Sequence, residues 1–575
     1  MKKIIRRQAV ISESLNSASL PHLLKRIYAA RGITDLSEVK YELATLAHFA
    51  ALKNIDAAVN CLCEALAKEE RMLIIGDFDA DGATSTALMM LALKSFGFKN
   101  LGYLIPNRFE FGYGLTPEIV QVAATSKPDL IITVDNGISS QDGVLEAKKF
   151  GIKVLITDHH LPPSDLPDAV AIVNPNQSGD EFPSKNLAGV GVAFYLMLAL
   201  RSRLKAMGYF KTTGIGEPNL AGFLDLVALG TVADLVPLDY NNRILVAEGL
   251  KRIQRGESRL GIKALISVSG RDYANISAGD LAYAVAPRLN AAGRLDDMSQ
   301  GVECLITENP VQAQGIARSL DELNKTRREI EIGMQSQAFG ALASLELAHE
   351  LPHGVCICDV SWHIGVIGIL ASRVKERVNR PVIAFAPVNE DELKGSGRSI
   401  DGLHLRDVLS NISTAYPGLI QKFGGHAMAV GLSLKTANYE KFSLAFTEEV
   451  EKHLTVADFQ AQIYSDGELE PADISLANAK LLAASGPWGQ GFSEPVFEGM
   501  FTVLQQKLVG DKHLKLLLGV PGERNLTWNA ICFNVDKKHW PNERCKKVYL
   551  VYRLSLNEYN DNLYLQLVGD YLVEA

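Results

Sequence analysis

Nowhere in the 575-residue chain does an apolar run reach the length of about 18 residues that a membrane-spanning helix needs, so no membrane span is expected. Met1 to Arg7 is basic, but the following Gln8-Ala9-Val10-Ile11-Ser12 is too short and too polar for a signal-peptide core. Cysteine is scarce: seven residues, an odd number, without the spacing of a zinc knuckle. That scarcity excludes a disulfide framework and points to reduced thiols in the cytoplasm. The closest cysteines, Cys61-Leu62-Cys63 and Cys356-Ile357-Cys358, are separated by one residue, and the second pair reads as part of a strand. Positive charge is also in deficit. A formal net charge of −8 argues against indiscriminate binding to nucleic acid, while leaving room for a local groove. Residues 501–575 run the other way, with ten Lys and Arg against eight Asp and Glu.

What the chain does have is three carboxylates within five residues. The run Asp77-Phe78-Asp79-Ala80-Asp81-Gly82 follows the apolar Met72-Leu73-Ile74-Ile75 directly. Such an apolar run reads as a buried parallel strand, and open α/β sheets place their active sites beyond the carboxyl ends of such strands. If the chain stays extended, residues 77, 79 and 81 project to one side. Three carboxylates there repel one another unless a cation lies between them, and oxygen ligands without thiolate suit Mg²⁺ or Mn²⁺. A lone Asp-x-Asp at a strand end is more often a turn or helix cap, so the reading depends on its company.

That company is regular. From about residue 50 to 270, β-rich runs alternate with helical stretches, which predicts a parallel sheet covered by helices. The runs are Met72–Ile75, Leu130–Val134, Val154–Thr157 and Ala171–Asn174, and three end in polar clusters: 76–82, Asp135-Asn136-Gly137 and Asp158-His159-His160. A fourth cluster, ending in Asp234, follows the apolar Leu224–Leu229 and is expected at another sheet end. Pro310 opens a long helix on which Ile316, Leu320, Leu323, Ile330 and Met334 recur at helical spacing, with Lys325, Arg327, Arg328 and Glu329 on the other face. A second α/β unit follows. After it come short alternating runs, Phe501–Leu508, His513–Leu518, Leu526–Phe533, Lys547–Leu556 and Leu563–Val568, which suggest a small barrel of the oligonucleotide-binding (OB) type. Trp528, Phe533, Tyr552 and Tyr564, interleaved with Lys512, His513, Lys515 and Arg553, fit two readings equally: a surface that stacks bases and holds phosphates, or a barrel core with solvated lysines. The expected fold is therefore α/β: two α/β lobes joined by a long helix, plus a C-terminal OB-like β-barrel. The expected boundaries are 1–47 for an N-terminal segment of helix and loop, 48–300 for the first lobe, 301–350 for the linking helix, 351–455 for the second lobe and 456–575 for the barrel.

Parallel neighbours lie about 5 Å apart. Carboxylates and imidazoles released at the same sheet edge can thus converge on two cations about 3.5–4 Å apart, a spacing that clamps both the attacking and the leaving oxygen of a phosphate ester.

Taken together, Asp77–Gly82, Val134-Asp135-Asn136-Gly137, Asp158-His159-His160 and Asp234 resemble the four signatures of the DHH phosphoesterase superfamily. Arg398 and Gly424-Gly425-His426 resemble its DHH-associated domain. With the linking helix and the barrel, the arrangement is similar to the superfamily's 5′→3′ exonucleases that degrade single-stranded DNA to mononucleotides in DNA repair and recombination. The resemblance implies one ion held by Asp79 and Asp135 and another by Asp81, Asp135, His159 and Asp234, both Mg²⁺ or Mn²⁺. It implies His160 facing the scissile phosphate, with Asp158 orienting the pair. Many members carry a histidine four residues before Asp79; this chain has Ile75, so the first ion is expected either to be held more weakly or to be helped by Asp77 or water.

The resemblance also implies a path for the strand. Arg108 in Asn107-Arg108-Phe109 would neutralise phosphate, and Tyr113 in Gly112-Tyr113-Gly114 would stack on a base. Arg288 and Asn290 in Pro287–Arg294, and Arg398, Gly424, Gly425 and His426 in the second lobe, would also contact substrate. Trp362 is expected to pack rather than stack. Implied partners are single-stranded DNA, a single-strand-binding protein and a RecQ-type helicase, with no membrane.

Overall fold

The computed structural model describes residues 2–107, 110–348, 351–510, 512–520, 526–536, 539–559 and 562–575. The strands in chain order are β1 (Lys3–Arg6), β2 (Met72–Gly76), β3 (Leu101–Leu104), β4 (Leu130–Val134), β5 (Lys153–Thr157), β6 (Ala171–Val173), β7 (Val355–Cys358), β8 (Val382–Pro387), β9 (Glu392–Arg398), β10 (Lys422–Gly425), β11 (Ala429–Lys435), β12 (Gln462–Ser465), β13 (Phe497–Val509), β14 (His513–Gly519), β15 (Thr527–Cys532), β16 (Lys547–Tyr559) and β17 (Asn562–Glu574). The chain divides into two compact units. The larger gathers Ile5–Gly293, Asp297–Asp321 and Tyr464–Ala575, and the smaller gathers Arg294–Asp296 and Glu322–Ile463 with the N-terminal residues through Ile4.

The larger unit is built on a parallel sheet of order β3-β2-β4-β5-β6. Every residue of β2 and β4 is buried, because helices cover both faces, and this is why their sequences are apolar without alternation. The register is in step: Gly76 lies opposite Val134, Val134 opposite Thr157 and Thr157 opposite Val173. Asp77, Asp135, Asp158 and Asn174 are therefore released together at one sheet edge.

Two elements differ from expectation. β3 was not expected: Leu-Gly-Tyr-Leu is half-buried and carries no apolar run. Leu224–Leu229 is not a strand; Leu224–Ala233 is a helix, and Asp234 is its C-cap. Leu224 through Val232 are all buried, Asp225 paired with Arg259 among them, and a helix buried all round has no 3.6-residue pattern to distinguish it from a buried strand.

The barrel belongs to the larger unit and is closed, in the order β13-β14-β15-β17-β16 with β16 returning to β13. Its aromatics divide in two. Trp528 and Tyr552 are core residues, each edge-on to Phe501 at centroid distances of 6.1 and 5.5 Å, so for these two the barrel-core reading holds. Phe533 and Tyr564 stand 54% and 52% exposed. Arg553 is occupied by Asp570 and Glu494.

The N-terminal segment is more than helix and loop, since β1 pairs with β12. It is also firmly held. Arg31 grips Asp466 through two bonds of 2.9 and 3.1 Å, donates to Ser493 O at 2.7 Å and lies over the Trp488 ring. Tyr28 donates to Ser485 O at 2.9 Å. The Arg31 and Asp466 side chains are both buried, so removing either partner would leave a charge stranded in the interior.

The smaller unit is a mixed sheet of order β10-β11-β9-β8-β7, with Phe385, Leu409, Phe442 and Phe446 in one core cluster and Val355, Leu370 and Val374 in another. The helix Pro310–Ala348 begins at the expected proline and passes from the larger unit into the smaller at Asp321 and Glu322. It buries Ala313, Ala317 and Leu320 before that point, and Met334, Ala338 and Leu342 after it. Arg327 is not on its outer face: it is buried, bonded to Glu331 at 2.6 Å and to Asn324 at 2.7 Å. Trp362 packs as expected, with its indole N–H donated to Gln337 Oε1 at 2.8 Å.

Candidate metal centre

The three-aspartate loop does not stay extended. Ala80 begins the helix Ala80–Ser95, and Asp79 is its N-cap, accepting from the amides of Asp81 and Gly82 at 3.0 Å each. Asp77, Asp79 and Asp81 therefore lie on a tight strand-to-helix turn rather than in a row. Gly82 is required there, since a Cβ would lie 2.4 Å from Asp77 O. Asn290 Oδ1 accepts from Ala80 N at 2.8 Å and steadies the turn from the helix Ala286–Leu295.

Asp135 leaves β4 with φ +62°, a left-handed conformation that Asp tolerates better than most residues. Its neighbour Asn136 donates to Ile75 O at 3.1 Å and Val134 O at 2.9 Å, tying the ends of β2 and β4 together. Asp158 acts as an organiser. One carboxylate oxygen accepts from Ile138 N at 2.8 Å; the other accepts from the His159 and His160 amides and from His160 Nδ1 at 2.7 Å. Burial alone would raise the Asp158 pKa, but the charge and hydrogen bond of His160 outweigh it and bring it to about 2. Burial likewise opposes protonation of His160, and Asp158 reverses that, raising it to about 9.

Side chains from separate elements converge. His159 Nε2 is 3.1 Å from Asp135 Oδ1 and 3.5 Å from Asp234 Oδ2. Three groups place one possible ligand atom from each member within 4.8 Å of the others: Asp77, Asp79 and Asp135; Asp81, His159 and Asp234; Asp135, His159 and His160. Burial and then the neighbouring Asp234 hold Asp81 up to about 7. Burial and Asp79 do the same for Asp234, while Asp135 is pushed well above the usual carboxylate range by burial and by Asp81. Burial lowers the pKa of His159, favouring the neutral imidazole that a metal requires. Asp135 Oδ1 and His159 Nε2 are buried and make no hydrogen bond among the described residues. Buried, crowded carboxylates beside an unprotonated imidazole, with two of their atoms unsatisfied, fit divalent cations bound by hard ligands.

Sequence reasoning missed what holds Asp81. Its carboxylate accepts from the amides of Gly189 and Val190, at 2.6 and 3.0 Å, at the start of the helix Gly189–Ala206. A Cβ at Gly189 would lie 2.5 Å from Asp135 Cβ. The small residues of Ala188-Gly189-Val190-Gly191 were the available signal. Asn174 and Asn176 were also missed.

The remaining expected residues fall in different places. Tyr113 is half exposed and joins the site, its hydroxyl 3.1 Å from His160 Nδ1 and donated to Asp135 O at 3.3 Å. Asn290 supports the aspartate turn, as above. Arg108 lies outside the described residues. Arg288 is 7% exposed, paired with Asp321 at 2.8 Å and bonded to the carbonyls of Ala284 and Val268. In the smaller unit, Arg398 pairs across the sheet with Ala429, and Gly425 (φ +133°) with Val430. Gly424 faces Gly431, and the His426 amide donates to Ala429 O at 2.8 Å. These four residues thus share one end of that sheet, where Arg398 bonds to Ser396 Oγ and Gly397 O.

Comparison with known proteins places these features in a family. The DHH family, N-terminal domain, matches residues 71–231, the DHHA1 domain matches 353–452 and the RecJ OB domain matches 465–570. The single-stranded-DNA-specific exonuclease RecJ of Dickeya dadantii is 53% identical over 555 residues, 96% of this chain and 96% of its own. That of Escherichia coli is 51% identical over 567 residues, 98% of each chain. The crystal structure of RecJ in complex with Mn²⁺ from Thermus thermophilus superposes with a TM-score of 0.81 at 26% identity, covering 100% of this chain and 80% of that one. The chain belongs to the RecJ family of single-stranded-DNA-specific exonucleases.

Proposed function

We propose that the protein is a metal-dependent exonuclease that degrades single-stranded DNA from the 5′ end to mononucleotides, in DNA repair and recombination. The observation that carries this reading is the convergence of Asp77, Asp79, Asp81, Asp135, His159 and Asp234 at one sheet edge, in a chain about half identical to RecJ exonucleases over nearly its full length. In this reading Asp79 and Asp135, helped by Asp77, hold one Mg²⁺ or Mn²⁺ ion. Asp81, Asp135, His159 and Asp234 hold the other. Two such ions supply Lewis acidity for hydrolysis of a phosphodiester.

The chain's own residues do the rest. Asp158 raises the pKa of His160, which favours an imidazolium that would offer a proton-bearing nitrogen to a phosphate oxygen. Helix N–H groups at Gly189 and Val190 hold Asp81 in place, which limits reorganisation as charge develops. Tyr113 and Arg108 are proposed to meet the 5′-terminal nucleotide, and Arg398, Gly424, Gly425 and His426 are proposed as substrate-binding residues. Phe533 and Tyr564 give the barrel two exposed faces for stacking bases.

The proposed domain limits are 1–47, 48–300, 301–350, 351–455 and 456–575. A single-strand-binding protein and a RecQ-type helicase are proposed partners, and seven free cysteines support a cytoplasmic setting.

The test is incubation with Mn²⁺ and an oligonucleotide labelled at either end. Immediate release of the 5′ label as mononucleotide is expected. Activity confined to pyrophosphate or dinucleotides would overturn the reading, as would binding without cleavage.

A further inference from the structure

The backbone carbonyls of His159 and His160 are each held by an asparagine carboxamide from one short loop. β6 ends at Val173, and the chain turns through Asn174-Pro175-Asn176. Asn176 Nδ2 donates to His159 O at 2.6 Å, and Asn174 Nδ2 donates to His160 O at 2.9 Å. The loop is itself immobilised. Asn176 N donates to Asn174 Oδ1 at 2.8 Å, Lys185 Nζ to Pro175 O at 2.8 Å and Gln177 Nε2 to Ile172 O at 2.8 Å. Asn174 is fully buried, where a carboxamide is tolerated only with its hydrogen bonds made.

The two histidines depend on this loop unequally. The His160 ring has a second anchor in Asp158, 2.7 Å from its Nδ1. Among the described residues the His159 ring makes no hydrogen bond at Nε2, the atom that approaches Asp135 and Asp234, so its aim depends more heavily on its backbone. A displacement of about 1 Å is enough to cost a catalytic or metal-binding group about a hundredfold.

We propose that Asn176 and Asn174 are positioning residues with separable duties: Asn176 aims His159 for metal binding, and Asn174 sets His160 for turnover. This rests on the two-ion exonuclease reading given above.

The test uses the full-length protein with Asn176→Ser or Asn174→Ser. Serine is too short to reach either histidine carbonyl, and at 174 its hydroxyl can still accept from the Asn176 amide. Mn²⁺ affinity is read by titration calorimetry, and kcat at saturating Mn²⁺ is read on a 5′-labelled single strand. Asn176→Ser is expected to weaken Mn²⁺ binding about tenfold with kcat within about threefold of wild type. Asn174→Ser is expected to lower kcat about tenfold while leaving Mn²⁺ affinity within about twofold. Equal losses in both quantities for both variants would mark a merely structural loop and overturn the proposal, as would unchanged values. If Asn174→Ser does not fold, the less buried Asn176→Ser decides alone, and unchanged Mn²⁺ affinity sinks the idea. A wild-type protein that binds no Mn²⁺ or cleaves nothing would instead bring down the underlying reading, and the proposal with it.

Discussion

His159 Nε2 and Asp135 Oδ1 lie 3.1 Å apart, both buried, and neither makes a hydrogen bond among the described residues. Two unsatisfied atoms at that distance are costly unless a third partner lies against both. Replacing Asp135 therefore removes a shared ligand. Asn suits the left-handed backbone at this position as well as Asp does, so Asp135→Asn tests the charge without adding strain. Loss of several kcal/mol of transition-state stabilisation, about a thousandfold in kcat, is expected with single-strand affinity retained. Gel-based cleavage and fluorescence anisotropy check the two halves separately.

The crowded carboxylates also make metal binding and pH interdependent. Asp81 and Asp234 are held near 7 in the folded chain against an ordinary value of 3.8, so the folded state binds protons that the unfolded state has released. Their contribution to stability is complete below about pH 4 and is lost as pH rises through about 7. The chelated protein should therefore melt at progressively lower temperature between about pH 5 and pH 8, and Mn²⁺ should restore more stability at the upper end. Thermal melts in EDTA and in Mn²⁺ measure this. Binding at about pH 6 should also release protons, visible as buffer-dependent heats in calorimetry.

Gly189→Ala should be harmful although alanine favours helices by about 1 kcal/mol. The added methyl would lie 2.5 Å from Asp135 Cβ and 2.6 Å from its Oδ1. Overpacking of this kind costs about 1–3 kcal/mol. A lowered melting temperature and Mn²⁺ affinity reduced about tenfold are expected, and a variant more stable than wild type would contradict the close approach.

In the barrel, two aromatics should respond in opposite ways. Trp528→Ala removes a buried ring and the indole bond to Ile474 O, and should cost about 3–5 kcal/mol. Phe533→Ala should leave the melting temperature unchanged and weaken single-strand binding by about 1–3 kcal/mol. Denaturant melts and anisotropy on the full chain distinguish them.

The polar strand ends were legible for a physical reason. β2, β4 and β5 are covered on both faces, so their apolar runs are unbroken and the first charged residue marks the exit from the sheet. Asp234 was legible as a motif while its carrier was misread, because the helix Leu224–Ala233 has no polar face to reveal its period. The ion pair of Arg288 was not legible, because an arginine's charge says nothing of a partner as distant in sequence as Asp321. Gly189 and Val190 hold Asp81 through their backbone amides, and Asn174 and Asn176 reach backbone carbonyls of the histidines; a contact with a backbone group leaves no partner side chain to read in the sequence.

The buried pairing of Arg31 with Asp466 bears on how the molecule is made. Synthesis proceeds from the N-terminus, so Arg31 emerges from the ribosome long before Asp466, Ser485 and Ser493 exist to receive it and its neighbour Tyr28. The smaller unit, drawn mainly from Glu322–Ile463, is translated in the interval. The contacts of Arg31 and Tyr28 with Asp466, Ser485 and Ser493 can therefore close only after that unit has been synthesised, whereas Glu38 and Tyr41 meet Arg243 and Lys251 earlier in the chain. Truncated products of an interrupted ribosome would carry that unsatisfied surface, which makes them natural clients for chaperones and early targets for proteolysis.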